Sequence, residues 1–224
     1  MLLKSENPNF GKAYMKANEI LVKSSVIQTF PFSVKALVSE QSDIVCRSFE
    51  KARKYGVDIT AFGSESATIF RYGGKSIIFY DESKPYAHIS FSILHEFGHV
   101  ILGHDFTKKD EDSYHRYEVE TNFFTAQLFM PEQILREFQR RGKKITSTFL
   151  KTTFGTSVQA ADKRIETLAK TDGRWWSKDQ KEFDDIILFR YADFLNKICP
   201  IQNSYDFEYE YAREQERYDW KCCH

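Results

Sequence analysis

Residues 90–105, SFSILHEFGHVILGHD, place three histidines and a glutamate in the most apolar stretch of the chain. Burying such groups without partners costs several kcal/mol each, so the stretch calls for something that binds them. His95 and His99 are four apart. On a helix their side chains stand one turn above each other on a single face. Both imidazoles can then take one metal ion at the ~2.0–2.1 Å typical of zinc–nitrogen bonds. Glu96 follows the first histidine, where its carboxylate can accept a proton from a metal-bound water. HExxH on a helix is, for that reason, the pattern of a zinc hydrolase. Phe91, Ile93, Leu94, Phe97, Val100, Ile101 and Leu102 supply the dry surround such a site needs. Gly98 costs roughly 1 kcal/mol against alanine in mid-helix. The expected return is close approach of another backbone or a substrate to the metal face.

A catalytic zinc takes three protein ligands and keeps a fourth position for water, so a third ligand must come from elsewhere. The downstream run EVETNFFTAQLFMP, residues 118–131, offers Glu118 and Glu120. Two residues are about 200° around a helix, so only one of them can face the metal. Glu118 shares its face with Asn122, an amide able to hydrogen-bond a ligand. Glu120 shares its side with Phe124 and Gln127 or faces solvent. Glu118 is the favoured ligand and Glu120 the alternative. Tyr114 and His115, read as lying in the loop before this helix, are candidates for stabilising an oxyanion.

These residues need elements to hold them. Phe10, Tyr14, Ala17 and Leu21 recur at helical spacing, FPFS (30–33) breaks the pattern, and a second amphipathic helix is expected across residues 34–55. SATIFRY and KSIIFYD flank Gly73-Gly74. Two β-rich runs joined by two glycines form a hairpin, because a type I′ turn requires φ > 0 at both centres. The spacing predicts the histidine helix over about residues 88–102, ending at Gly103, and a further helix over 114–130 stopped by Pro131. Two more helices follow to Lys170 with a break at GTS (155–157). The expected fold class is α+β, a mainly helical zincin-like domain with a small antiparallel β-sheet beside the HExxH helix. The domain is placed at 1–170, its helical end at 131–170, with an aromatic, acidic extension at 171–224 packing on the domain or on a partner.

Composition narrows the partners. Lys+Arg and Asp+Glu both count 32, so no net charge draws in a polyanion, and neither a nucleic acid nor a membrane is the expected main partner. The N-terminus lacks the apolar core of a secretory signal, and a cytoplasmic location is expected. Cys46, Cys199, Cys222 and Cys223 form no spaced framework and are expected as reduced thiols. A second zinc at Cys199 and the terminal CCH is disfavoured because the spacing fits no ribbon or finger pattern, and YDFEYEYAREQERYDW reads as an amphipathic helix or partner-binding edge, with a solvated face as the simpler reading.

HEFGHVILGH followed by an acidic loop, ExExN and a helix ending in FMP resembles the ImmA/IrrE metallopeptidases, a gluzincin-like group. The resemblance spans about residues 30–168 and is specific in the two central helices. It implies His95 and His99 as zinc ligands, Glu96 as general base, Glu118 as third ligand and Asn122 as the pattern's asparagine. Thr121 stands where the family more often has alanine and is expected to stay clear of the metal chemistry. The helices around 145–168 resemble the family's helix-turn-helix-like part, and plain packing is the simpler reading of them. The resemblance further implies a zinc endopeptidase that cleaves a helix-turn-helix repressor, as an antirepressor of a mobile element or stress regulon. A metal-containing regulator that binds a repressor or DNA without cutting it is the alternative.

Overall fold

The computed structural model describes residues 7–62, 66–105, 111–170 and 178–201. Ten α-helices, one short 3-10 helix (Ile59–Phe62) and three strands are found among them. Helix α1 (Phe10–Lys23) starts where the Asn9 side chain accepts a hydrogen bond from the Lys12 amide, which fills one of the donors a helix start leaves open. Its Ala13, Tyr14, Ala17 and Leu21 are buried, the face expected from their spacing.

Residues 34–55 do not form one helix. They divide into α2 (Val34–Ser39), strand β1 (Ile44–Ser48) and α3 (Phe49–Lys54). The apolar residues have helical spacing on either side, but Ile44–Ser48 is claimed by the sheet, which supplies its backbone with partners along β3. Ser48 then caps α3 by accepting from the Lys51 amide.

Strands β2 (Ala67–Tyr72) and β3 (Lys75–Tyr80) form the expected hairpin, with Gly73 and Gly74 at φ +59° and +77°. The sheet is mixed rather than purely antiparallel. Its order is β1-β3-β2, with β2 antiparallel and β1 parallel to the central strand. A parallel neighbour requires a long crossover, here the stretch through α3, so it leaves no local turn signal in the sequence. β3 is covered on both faces. Ile78 faces the main core, whereas Phe79 and Ile77 meet Phe49 and Ala52 of the α3 side.

Helix α4 (Tyr86–Ile101) lies against this sheet and is followed by Gly103 at φ +66°. Helix α5 (Glu111–Phe129) starts three residues before the expected 114, and Tyr114 and His115 lie on it, as the expected helix range required and the loop reading did not; both are exposed. α5 is sandwiched between α4 and α1, which buries Glu120, Thr121, Phe124, Thr125, Gln127 and Leu128. Residues 131–170 hold three helices rather than two: α6 (Glu132–Arg140), α7 (Ser147–Phe154) and α8 (Val158–Lys170). Gly142, at φ +80°, supplies the additional break.

Helices α9 (Lys178–Arg190) and α10 (Ala192–Ile198) carry the hydrophobic core past residue 170. Ile187, Tyr191, Phe194 and Leu195 are buried in the same cluster as α1 and α5. The Tyr191 hydroxyl donates toward the Leu21 and Ile27 carbonyls. Cys46 and Cys199 are free thiols. Trp175, Trp176, the YDFEYEYAREQERYDW run and the terminal CCH lie outside the described residues. No helix among the described residues is long and apolar enough to cross a membrane.

Candidate metal centre

Helix α4 enters the core with Ile89, Ile93, Leu94 and Phe97 buried, and this fixes its rotation. His95 and His99 then share one side and face α5. Their Nε2 atoms are 3.1 Å apart. Glu118 reaches them from α5, with Oε2 3.2 Å from His95 Nε2 and Oε1 3.3 Å from His99 Nε2. The three residues could hold a metal ion, and their ligand atoms all lie within 4.8 Å of one another. Ligands at ~2.0–2.1 Å around a tetrahedral ion are roughly 3.3–3.4 Å apart, close to these separations. One divalent cation would satisfy three acceptor groups that no arrangement of neutral imidazoles serves equally well.

The electrostatics favour that use at His99 and Glu118 and oppose it at His95, which an ion would have to hold in its neutral form. Burial lowers the His99 imidazole below its usual value, outweighing the pull of Glu118, so its lone pair is available at neutral pH. Burial also opposes the charged form of His95. There the hydrogen bond and charge of Glu118, with Glu96 and an Asn122 hydrogen bond, together win and raise it. Hydrogen bonds from His95 and His99 hold Glu118 far below the usual carboxylate range, against its partial burial. Glu96 is half-buried, one residue beyond His95 on the helix that carries both imidazoles. Asn122, exposed at its outer side, engages His95 as its shared face with Glu118 suggested.

Glu120 does not compete for this place. It is 5% exposed, and its Oε2 lies 3.0 Å from His104 Nε2 while Oε1 accepts from the Asn9 amide at 2.7 Å. Neither solvent nor Phe124 and Gln127 is its partner. The rotation of α5, set by its packing on α1 as well as α4, points Glu118 one way and Glu120 the other. Thr121 also departs from expectation. Its hydroxyl lies 3.3 Å from the Nδ1 atoms of both His99 and His104, so it borders the metal chemistry.

His104 joins the site although its spacing assigns it no ligand role. Its Nδ1 lies 2.9 Å from His99 Nδ1, and its ring stacks on Tyr117 at 4.2 Å. The available signal was a third histidine five positions after the second, inside an apolar run. Gly98 serves the contact between helices, not a backbone or substrate. A Cβ there would sit 2.8 Å from Phe124 Cδ1 and 2.9 Å from Thr121 Cγ2.

The sequence model of the IrrE N-terminal-like domain of peptidase family M78 matches residues 52–166. That span is just over half of the 224 residues and includes α4 and α5, hence the whole His95–His99–Glu118 cluster. No curated protein and no solved structure gave a match.

Proposed function

We propose, from the premise that the chain belongs to the IrrE N-terminal-like family of metallopeptidases, that it is a zinc endopeptidase with His95, His99 and Glu118 as ligands. The observation that carries this is the convergence of three ligand atoms from α4 and α5 on one point, with Glu96 next to His95 on α4 and acting on it electrostatically. A zinc ion held there would act as a Lewis acid on the scissile carbonyl and lower the pKa of water. Glu96 takes the proton of the attacking water and delivers it to the leaving amine. Asn122 helps to orient His95, and the buried Ile93, Leu94, Phe97 and Phe124 exclude water from behind the ligands.

The family resemblance supports a helix-turn-helix repressor as the protein substrate and an antirepressor role in a mobile element or stress regulon. The test uses purified zinc-loaded chain and a candidate helix-turn-helix repressor, followed by mass spectrometry of the products. Glu96→Gln is expected to keep stoichiometric zinc and lose cleavage by a factor on the order of 10²–10⁴. Undiminished cleavage would remove Glu96 from the mechanism. An intact repressor held in a stable complex would replace proteolysis by binding as the function.

A further inference from the structure

We propose that His104 and Glu120 are positioning residues that lock His99 in the one tautomer able to bind the metal. The inference rests on the reading of His99 as a ligand through Nε2.

A neutral imidazole has one N–H and one lone pair. If Nε2 of His99 gives its lone pair to the ion, Nδ1 carries the hydrogen and must donate it. An acceptor is in place in His104 Nδ1 at 2.9 Å, with the Thr121 hydroxyl oxygen at 3.3 Å as a longer partner. His104 Nδ1 can accept only if its own hydrogen is on Nε2. That hydrogen has a receiver, because Glu120 Oε2 lies 3.0 Å away. Glu120 is an acceptor on its other oxygen too, where it takes the Asn9 amide at 2.7 Å. The chain from Asn9 through Glu120 and His104 to His99 thus admits one proton arrangement in which every contact joins a donor to an acceptor. The opposite arrangement sets His104 Nε2 as a lone pair against a carboxylate and presents two N–H groups to each other at Nδ1.

Burial makes the arrangement count. His99 and His104 are each 3% exposed, Glu120 5% and Thr121 0%, so water cannot replace a lost partner. Tyr117 stacked on His104 holds that ring in plane, and α1 supplies the Asn9 amide that anchors Glu120. The last turn of α4, the middle of α5 and the start of α1 therefore converge on one imidazole. A carboxylate behind a ligating histidine raises its basicity and fixes its ring, and loss of such a partner usually costs 10–100-fold in metal affinity.

Two measurements on the full chain test this. In zinc-loaded wild type with ¹⁵N-labelled histidine, two-bond proton–nitrogen correlations are expected to show His99 protonated at Nδ1 and His104 at Nε2. His104 protonated at Nδ1 overturns the inference, whatever the variants do. Competition with a chromophoric chelator then gives zinc dissociation constants, with thermal unfolding of the metal-free forms recorded alongside. His104→Ala is expected to weaken zinc on the order of 10–100-fold. His104→Asn, whose amide oxygen overlays Nδ1, restores most of that. Glu120→Gln weakens zinc as well, because its amide can no longer accept from both Asn9 and His104. Thr121→Val has a smaller effect than His104→Ala. A folded His104→Ala variant with wild-type zinc affinity overturns the inference while leaving the ligand reading intact. A wild-type chain that binds no zinc overturns both.

Discussion

Replacing Gly98 by alanine should damage the metal centre without touching a ligand. The added Cβ would meet Phe124 Cδ1 at 2.8 Å, Thr121 Cγ2 at 2.9 Å and Phe124 Cε1 at 3.3 Å. Carbon pairs sit best at ~3.5–4.0 Å, so α5 must retreat from α4 by roughly 0.7 Å or Phe124 must leave its rotamer. Phe124 and Thr121 are fully buried and have nowhere to go. Overpacking of this kind costs ~1–3 kcal/mol, and the alanine returns ~1 kcal/mol through helix propensity. The net stability change is therefore small, a loss of about 0–2 kcal/mol. The site fares worse, because Thr121 lies one turn from Glu118 on the same helix and the Glu118 oxygens now stand 3.2–3.3 Å from the two imidazoles. A shift near 1 Å can cost on the order of 10²-fold in activity. Differential scanning fluorimetry of the metal-free protein, chelator competition for zinc and a peptide-cleavage assay separate the two effects. Gly98→Ala with wild-type zinc affinity and a raised melting temperature would refute the reasoning, since only the propensity gain would then be left.

Metal removal should be visible in stability. At free zinc about 100-fold above the dissociation constant, unfolding should require ~2.7 kcal/mol more than in chelator. For a chain of this size that is roughly 5–10 °C in a thermal scan, and Glu118→Ala should abolish most of it. Arg164 is 1% exposed and donates to the Met130 carbonyl at 2.9 Å and Gln127 Oε1 at 2.6 Å. Arg164→Leu should therefore cost about 2–4 kcal/mol in urea unfolding, because it removes both donors from a dry site. Asp184 accepts from the Tyr14 hydroxyl, yet its carboxyl is raised above the usual 3.8 by burial, with Glu132 and Asp185 adding to this and the Gln133 and Tyr14 hydrogen bonds opposing it. A raised folded-state value contributes stability below pH 3.8 that is lost as pH rises through the folded value. Asp184→Asn should thus gain stability over wild type at pH 7 and lose that advantage near pH 3, as followed by denaturant titration at both pH values.

The sequence by itself determined the parts whose signal is local. Residues 95 and 99 must share a helical face because the period of the helix is fixed. Gly73-Gly74 must turn because two consecutive positive φ angles favour glycine, and Gly103 follows α4 for a related reason. Only tertiary structure decided the rest. β1 is a strand because β3 offers it a parallel partner some thirty residues away, and no run of neighbours encodes that contact. Glu118 and Glu120 are equivalent as letters. Which one meets the imidazoles follows from the rotation of α5, set where it is pressed between α1 and α4. His104, Thr121 and the Asn9 amide join the site for the same reason. Their contacts span 5 to 111 positions of sequence, and burial makes each one matter by removing the water that would otherwise stand in for it.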